Sequence, residues 1–264
     1  MLALIAGRGD LPDRIAAEAG PVLVCAMDGA MPERLVPEIT FRLERLGEFL
    51  RTLKQRGVTR ICMAGSVTRP RLELSKLSLS TLRLLPLMRK AMRMGDDGAL
   101  RAVVAVFENA GFTVVGAHEL LPDLVIEPGI PTKVHPDKAA QADADRAAQI
   151  VAAMAAADVG QACVVQSGQA LAIESVFGTD WMLASLTARP KAAGQGGLLY
   201  KTPKPGQERR VDLPAIGPTT VAGAVAAGLD GIVIEAGGVI VMEAAKTIAD
   251  CDAAGLFLWI RKAR

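Results

Sequence analysis

Short aliphatic runs that alternate with helical patterns constrain the fold of this chain more than any other feature of its sequence. The runs LALIA (2–6), VLVCAM (22–27) and RICMAG (60–65) are separated by segments with helical character. Such alternation is typical of α/β proteins. Hydrophobic content is 51% but aromatic content only 3%. Small aliphatic side chains must therefore fill the core, as they do between helices and buried parallel strands.

A proline-rich stretch divides the chain into two parts. Residues 120–136 contain Pro122, Pro128, Pro131 and Pro136, which predicts a linker. We therefore predict two α/β domains: a Rossmann-like domain over 1–130, a linker and connecting helix over 131–157, and a C-terminal catalytic domain over 158–264. The other predicted elements are helices at 11–19, 43–56, 95–111, 218–227 and 243–253, a helix that begins at Asp180, and strands at 112–117, 162–166, 170–175, 231–236, 239–242 and 256–260.

Charge, aromatic content and cysteine usage exclude several classes of protein. The net charge of +2, with one tyrosine, two tryptophans and six phenylalanines, argues against a nucleic-acid partner. The N-terminus lacks the cationic start of a signal peptide, and no window approaches the length of a membrane span. We expect a cytoplasmic protein with four buried free thiols, at Cys25, Cys62, Cys163 and Cys251.

The turn AGRGDLP (6–12) follows the first predicted strand and opens the first helix. Its glycines, Gly7 and Gly9, would let the backbone approach a phosphate at a helix N-terminus. Asp28 ends the second strand, where a dinucleotide-binding fold places its ribose-binding acid. Pro12 occupies the position of the third glycine in the dinucleotide fingerprint. A tight turn without a ligand is the alternative interpretation.

Leucines and cations are concentrated between residues 65 and 94. Residues 69–94 carry seven cations and one acid. Aliphatic bulk mixed with cations suits contact with a membrane that has anionic headgroups. A core helix with a solvated basic face is the alternative interpretation.

The segment KTPKPGQERRVDLPAIGPTT (201–220) concentrates four cations in an otherwise apolar region. Lysine and arginine bind phosphate, and the helix predicted from Pro218 would add an anion-binding N-terminus. Asp212, held between apolar residues, supplies the oxygen ligand that Mg²⁺ prefers beside phosphates. A solvated charged loop is the alternative.

Three smaller groups of polar residues follow predicted helix starts or strand ends. Asp96 and Asp97 are candidates for metal or hydroxyl binding, or for helix capping. Glu174 and Asp180 bring two acids to the end of a strand, where Thr179 or Asp180 could instead be a helix N-cap. His118 and Glu119 also end a strand, where α/β proteins place ligands.

Seven motifs occur in the same order as in one known family. They are LIAGRGDLP, AGSVTRP, GDDGALR, GAHE, ESVFGTD, KTPKPGQERRVDLPAIGPTT and EAGGVIV, and the resemblance covers nearly the whole chain, from Ala3 to about Leu258. The chain resembles the LpxI-type UDP-2,3-diacylglucosamine diphosphatases of lipid A biosynthesis in Gram-negative bacteria. The resemblance implies Mg²⁺-dependent hydrolysis of the pyrophosphate bond, with water attack on the α-phosphorus, to give UMP and 2,3-diacylglucosamine 1-phosphate (lipid X).

The resemblance implies that Asp212, in the motif R-x-D-x-P-x-I-G, is essential. The catalytic candidates are Asp212, Lys201, Lys204 and Arg210, and the metal candidates are Asp212, Glu174 and Asp180. The candidates for substrate contact are Gly7, Gly9, Leu11, Arg69, Asp96, Asp97, His118, Glu119, Gln207 and Thr219. The expected partners are UDP-2,3-diacylglucosamine and the cytoplasmic face of the inner membrane, with a homodimer left open. A dinucleotide-binding, NAD-type oxidoreductase and a non-catalytic nucleotide- or lipid-binding module are the competing functions.

Overall fold

The computed structural model describes residues 1–67, 73–82, 84, 96–190 and 194–262. The chain forms two compact units. The first unit contains Met1–Pro122 and Glu208–Asp212, and the second contains Asp123–Gln207 and Leu213–Arg264. Each unit has a five-stranded sheet with helices, so the α/β prediction is confirmed. More than half of the basic segment 65–94, and with it most of the lipid-facing surface predicted there, lies outside the described residues.

The first unit has a parallel sheet in the strand order β3-β2-β1-β4-β5. This order is that of a Rossmann-type sheet, as predicted. The strand β3 was missed, because three residues are too few to show a period. The elements are β1 (Leu2–Ala6), α1 (Asp10–Glu18), β2 (Val22–Met27), β3 (Ile39–Phe41), α2 (Leu46–Gln55), β4 (Arg60–Ala64), α3 (Leu79–Leu82), α4 (Asp96–Asn109), β5 (Thr113–Val115) and α5 (Ala117–Leu120), with 3-10 turns at Leu43–Arg45 and Leu74–Lys76.

One face of this sheet packs against α2 and α4. Side chains of a strand point alternately to its two faces. Ile5 and Ile61 point to this face, where they form one apolar cluster with Phe49 of α2 and Phe107 of α4. Val211, which follows more than a hundred residues later in the chain, packs against the same cluster. The core of the first unit therefore fixes the segment that carries Asp212.

The second unit has a mixed sheet in the order β12-β10-β8-β6-β7. Strands β8, β10 and β12 are parallel, whereas β6 is antiparallel to β7 and β8. The paired strands β9 and β11 form a small separate sheet. The elements are α6 (Lys138–Ala156), β6 (Ala162–Gln166), β7 (Gln169–Ile173), α7 (Gly178–Leu186), β8 (Leu198–Lys201), β9 (Ala215–Ile216), α8 (Pro218–Ala226), β10 (Gly231–Glu235), β11 (Ile240–Val241), α9 (Ala244–Ala254) and β12 (Phe257–Arg261), after a 3-10 turn at Pro122–Leu124.

Helices cover both faces of the second sheet. Successive residues of β6 point to opposite faces: Val164 packs in the cluster that contains α7, α8 and α9, and Val165 in the cluster that contains α6. Lys201 follows Tyr200 at the end of β8, so its side chain points to the face covered by α7. No helix in the described ranges is long and apolar enough to cross a membrane.

The four cysteine thiols are buried and unpaired, as predicted. Burial raises the pKa of Cys25, Cys62 and Cys163 to about 12 and that of Cys251 to about 11. The reactive thiolate is therefore scarce at neutral pH. We expect iodoacetamide to leave the folded protein unmodified and to alkylate all four thiols in guanidinium chloride, as measured by intact-mass spectrometry. Alkylation of any cysteine at native conditions would contradict the buried placement.

Candidate active site

Polar side chains meet at one edge of the second sheet. The parallel strands β8 and β10 end there at Lys201 and Glu235, and the chain after β7 brings Glu174 to the same edge. Ligands of α/β proteins bind beyond the carboxyl ends of parallel strands. Lys201 and Glu174 are each only 7% exposed, so that this edge carries two charged side chains almost fully removed from water.

A threonine hydroxyl links the buried lysine to the buried glutamate. Lys201 Nζ donates to Thr179 Oγ1 at 2.8 Å and to the carbonyl of Ala215 at 2.9 Å. Thr179 Oγ1 in turn donates to one carboxylate oxygen of Glu174. The other oxygen accepts the backbone N–H of Gln161 at 2.8 Å. The two opposite charges therefore compensate each other through a hydroxyl, which reduces the cost of burying them.

The three predicted metal ligands have different surroundings. Both carboxylate oxygens of Glu174 accept protein hydrogen bonds, Asp180 is exposed in the first turn of α7, and Asp212 belongs to the first unit. Across the described part of the chain, no group of three or more His, Cys, Asp or Glu side chains could hold a metal ion. Mg²⁺ is commonly bound by one or two carboxylates together with substrate phosphates. A single carboxylate such as Asp212 fits that mode of binding, whereas a preformed metal cage does not fit these residues.

The segment after Lys201 forms a closed turn in the second unit. The backbone N–H of Lys204 donates to Gln207 Oε1 at 2.8 Å, and the N–H of Gln207 donates to the Lys204 carbonyl at 3.1 Å. Lys204 Nζ pairs with Asp158 at 2.6 Å. Thr219 is exposed in the first turn of α8. Gln207, a candidate for substrate contact, thus shapes the turn that holds Lys204.

The next residues, Glu208–Asp212, belong to the first unit and are fixed there by an ion-pair network. Arg210 binds Glu208 through two parallel hydrogen bonds of 2.7 and 2.8 Å, and its Nη1 pairs with Glu108 of α4 at 2.6 Å. The backbone N–H groups of Val211 and Asp212 both donate to the Glu208 carbonyl at 3.1 Å. The guanidinium of Arg210, predicted to bind phosphate, therefore binds carboxylates that anchor the segment of Asp212.

This network shifts the pKa values of Glu208 and Arg210. The hydrogen bonds from Arg210 lower the pKa of Glu208, and those from Glu208 and Glu108 raise the pKa of Arg210. A carboxyl whose folded-state pKa is lowered stabilises the fold above its ordinary pKa of about 4.3. That stabilisation disappears only as the pH falls through the lowered value.

In the first unit, the glycine-rich turn after β1 pairs with the turn after β4. The N–H of Gly7 donates to the Ala64 carbonyl at 2.8 Å, and Arg8 and Ser66 exchange two backbone hydrogen bonds. A Cβ at Gly7 would lie 2.5 Å from the Ser66 oxygen. Two N–H groups that a phosphate-binding turn would present are therefore bonded within the protein, which weighs against the dinucleotide-binding alternative.

The remaining candidates of the first unit surround the same sheet. Gly9 precedes α1 with a φ of 98°, and Leu11 is half-buried in the first turn of that helix. Glu119 Oε1 accepts the N–H of Gly116 at 2.7 Å at the start of α5. His118 Nδ1 is buried and has no hydrogen-bond partner among the described residues. Arg69 and the side chains of Asp96 and Asp97 lie outside the described residues.

Sequence analysis missed the partners that hold the catalytic candidates. Thr179 was interpreted only as an alternative N-cap, but α7 begins at Gly178 after Phe177, and the Thr179 hydroxyl binds Glu174 instead. Glu108 and Arg210 are 102 residues apart in the chain, so that no local pattern indicates their pairing. Of the partners of Arg210 named here, only Glu208 is close to it in the sequence, two residues away.

Comparison with known proteins covers both units. Residues 1–124 match the model of the LpxI N-terminal domain, and residues 127–259 match that of the LpxI C-terminal domain. A relative from Caulobacter vibrioides, UDP-2,3-diacylglucosamine pyrophosphatase LpxI, is 37% identical over 268 aligned positions, which cover 97% of this chain and 96% of the relative. The chain therefore belongs to the LpxI family.

Proposed function

We propose that this protein hydrolyses the pyrophosphate bond of UDP-2,3-diacylglucosamine and releases UMP and lipid X, as a step of lipid A biosynthesis. The observation that carries the proposal is the match of both units to one family, together with a full-length relative whose name states this activity. Water forms a bond to the α-phosphorus, and the bridging oxygen leaves with the β-phosphate on lipid X.

Positioned charges supply the catalysis in this proposal. Asp212 orients the attacking water or holds the metal ion, on a segment that Arg210 and Val211 fix in the first unit. Lys201 and Lys204 stabilise charge on the pyrophosphate oxygens, which is the main requirement of phosphoryl transfer. Arg210 contributes positive charge beside Asp212 while it remains bound to carboxylates.

Mg²⁺ is the proposed cofactor, with Asp212 as its protein ligand. Carboxylate oxygen is the donor that Mg²⁺ prefers, and the phosphates of the substrate would complete its coordination. When bound, the ion neutralises charge on the pyrophosphate oxygens. Glu174 and Asp180 stay candidate ligands, although the hydrogen bonds of Glu174 suit a structural role better.

Release of UMP from UDP-2,3-diacylglucosamine in the presence of Mg²⁺ tests the proposal. In ¹⁸O water, label in UMP would support attack on the α-phosphorus, and label in lipid X would contradict it. Binding of the lipid substrate without turnover would favour the non-catalytic module. Enhanced NADH fluorescence on mixing, without UMP release, would favour the oxidoreductase.

We also propose that the protein works at the cytoplasmic face of the inner membrane, because a diacylated substrate resides in a bilayer. The second unit exposes an apolar cluster of its own. Val176, Phe177 and Trp181 are 88%, 67% and 55% exposed, and the two aromatic rings are in contact with centroids 5.1 Å apart. Aromatic side chains favour the membrane interface. A homodimer stays a prediction.

Trp181 provides a direct probe of membrane contact. The chain has two tryptophans, and Trp259 is half-buried against the core, beneath the Arg261 guanidinium. In a Trp259→Phe variant, we expect phosphatidylcholine vesicles with brominated acyl chains to quench the fluorescence of Trp181. The quenching should persist at high salt, because apolar contact is not screened. Unchanged fluorescence, or quenching lost on adding salt, would contradict apolar contact through this cluster.

A further inference from the structure

We infer that Thr179 is a positioning residue that aims the ammonium of Lys201 for the reaction. The inference rests on the proposed function. The Thr179 hydroxyl is occupied by Lys201 Nζ and by the Glu174 carboxylate, so that Thr179 acts through Lys201 rather than by contact with substrate. Nothing in the sequence pattern or in the family match assigns it this role.

The direction of each hydrogen bond in the network is fixed by chemistry. An ammonium group can only donate, so that the hydroxyl of Thr179 must accept from Lys201. The single hydroxyl proton is then available for Glu174, which it reaches. A carboxylate oxygen is an acceptor, so the hydroxyl donates to it. Thr179 therefore orients both charges at once, which no apolar side chain can do.

The second hydrogen bond of Lys201 connects it to the loop of the catalytic candidate. Its Nζ donates to the carbonyl of Ala215 at 2.9 Å, and Ala215 follows Asp212 after two residues in the chain. Ala215 begins β9, whose register with β11 is fixed by backbone pairing. Two rigid acceptors, one on α7 and one on β9, thus restrict where the ammonium lies.

The backbone around Thr179 has little freedom to move. Gly178 precedes it with a φ of 82°, a conformation that favours glycine, and Met182 and Leu183 of the same helix are 1% and 0% exposed. The backbone of Glu174 is also closely packed, against Gly160. A Cβ atom at Gly160 would lie 2.4 Å from the carbonyl oxygen of Glu174. Packing on both sides preorganises the hydroxyl, as electrostatic catalysis requires.

Helix capping does not explain this threonine. The N-cap position of α7 is Phe177, which makes no side-chain capping bond. The hydroxyl of Thr187, the C-cap residue of α7, shows the ordinary local bonding of a threonine, since it donates to the carbonyl of Ala184 in the last turn at 2.8 Å. The Thr179 hydroxyl instead contacts two residues outside its helix.

The test compares Thr179→Val, which keeps the shape but removes the hydroxyl, with Thr179→Ser, which restores it. We expect Thr179→Val to lower kcat for UMP release on the order of ten- to a hundredfold, with KM nearly unchanged. Thr179→Ser should recover most of the lost kcat. Thr187→Val, at the C-cap that ends the same helix, is the control and should behave as wild type. If valine disturbs the core, Thr179→Ala removes the same hydroxyl without added bulk.

A merely structural role predicts a different result. Thr179→Val should then lower the melting temperature and the fraction of active enzyme, without changing kcat per folded molecule. Our inference predicts that kcat per folded molecule falls in Thr179→Val and returns in Thr179→Ser. A kcat of Thr179→Val equal to that of the wild type would overturn this inference but leave the proposed function standing. Absence of UMP release by the wild-type protein would overturn the proposed function.

Discussion

Replacement of Asp212 by asparagine should lower kcat for UMP release by about 10²–10³, which corresponds to about 3–4 kcal/mol. Asparagine keeps the shape of the side chain but removes the charge that binds Mg²⁺ or orients water. The fold should survive, because Val211 and the ion pair between Arg210 and Glu108 hold the segment independently of Asp212. The measurement is kcat together with the melting temperature.

A metal titration separates the two roles of Asp212. If the carboxylate holds Mg²⁺, the concentration of Mg²⁺ that gives half-maximal activity should rise in Asp212→Asn. If it only orients water, kcat should fall at an unchanged metal requirement. Asp250→Asn is a matched control, because it removes a surface carboxylate that pairs with Lys246 on α9. Full activity of Asp212→Asn would refute the proposed assignment.

The fold could be predicted from the sequence wherever an element was long enough to show a period. Strands such as β1 and β10 and helices such as α2 and α6 lie within a few residues of their predicted bounds. The strand β8 was missed, because LLYK is short, follows a glycine-rich stretch and ends in a lysine. Its place in the sheet depends on pairing with β6 and β10, which lie far away in the chain. Tertiary contact, rather than local propensity, determines such an element.

The candidate site was predictable in composition but not in arrangement. The charged segment 201–220 was interpreted as one loop with one purpose, yet Glu208–Asp212 belongs to the first unit and the residues on either side to the second. Lys204 and Arg210, predicted as phosphate-binding cations, also form ion pairs with Asp158 and Glu108. A sequence shows how many charges a segment carries, whereas the partner of each charge depends on the fold.

The burial of Lys201 explains why an apolar chain tolerates a charge at the end of β8. A buried charge is stable only with a compensating partner, and Glu174 provides it through Thr179. The same arrangement makes the pair sensitive to the loss of either member. Removal of one partner from a buried pair costs about 3–5 kcal/mol, whereas replacing both by neutral groups is often tolerated.

We therefore expect Lys201→Met to abolish UMP release and to destabilise the protein by about 3 kcal/mol, because Glu174 would remain buried without its counter-charge. The free energy of unfolding in urea and the rate of UMP release measure the two effects. Lys246→Met, which breaks an exposed pair with Asp250, is the matched control and should change neither by much.

The double variant Lys201→Met/Glu174→Gln separates stability from catalysis. Neutralising Glu174 removes the uncompensated charge, so the free energy of unfolding should return most of the way to that of the wild type. UMP release should stay abolished, because the ammonium that stabilises the pyrophosphate charge is still missing. Recovery of both properties would mean that Lys201 serves only the fold. Recovery of neither would mean that Glu174 has a role beyond charge compensation, such as the metal ligand that its sequence position first suggested.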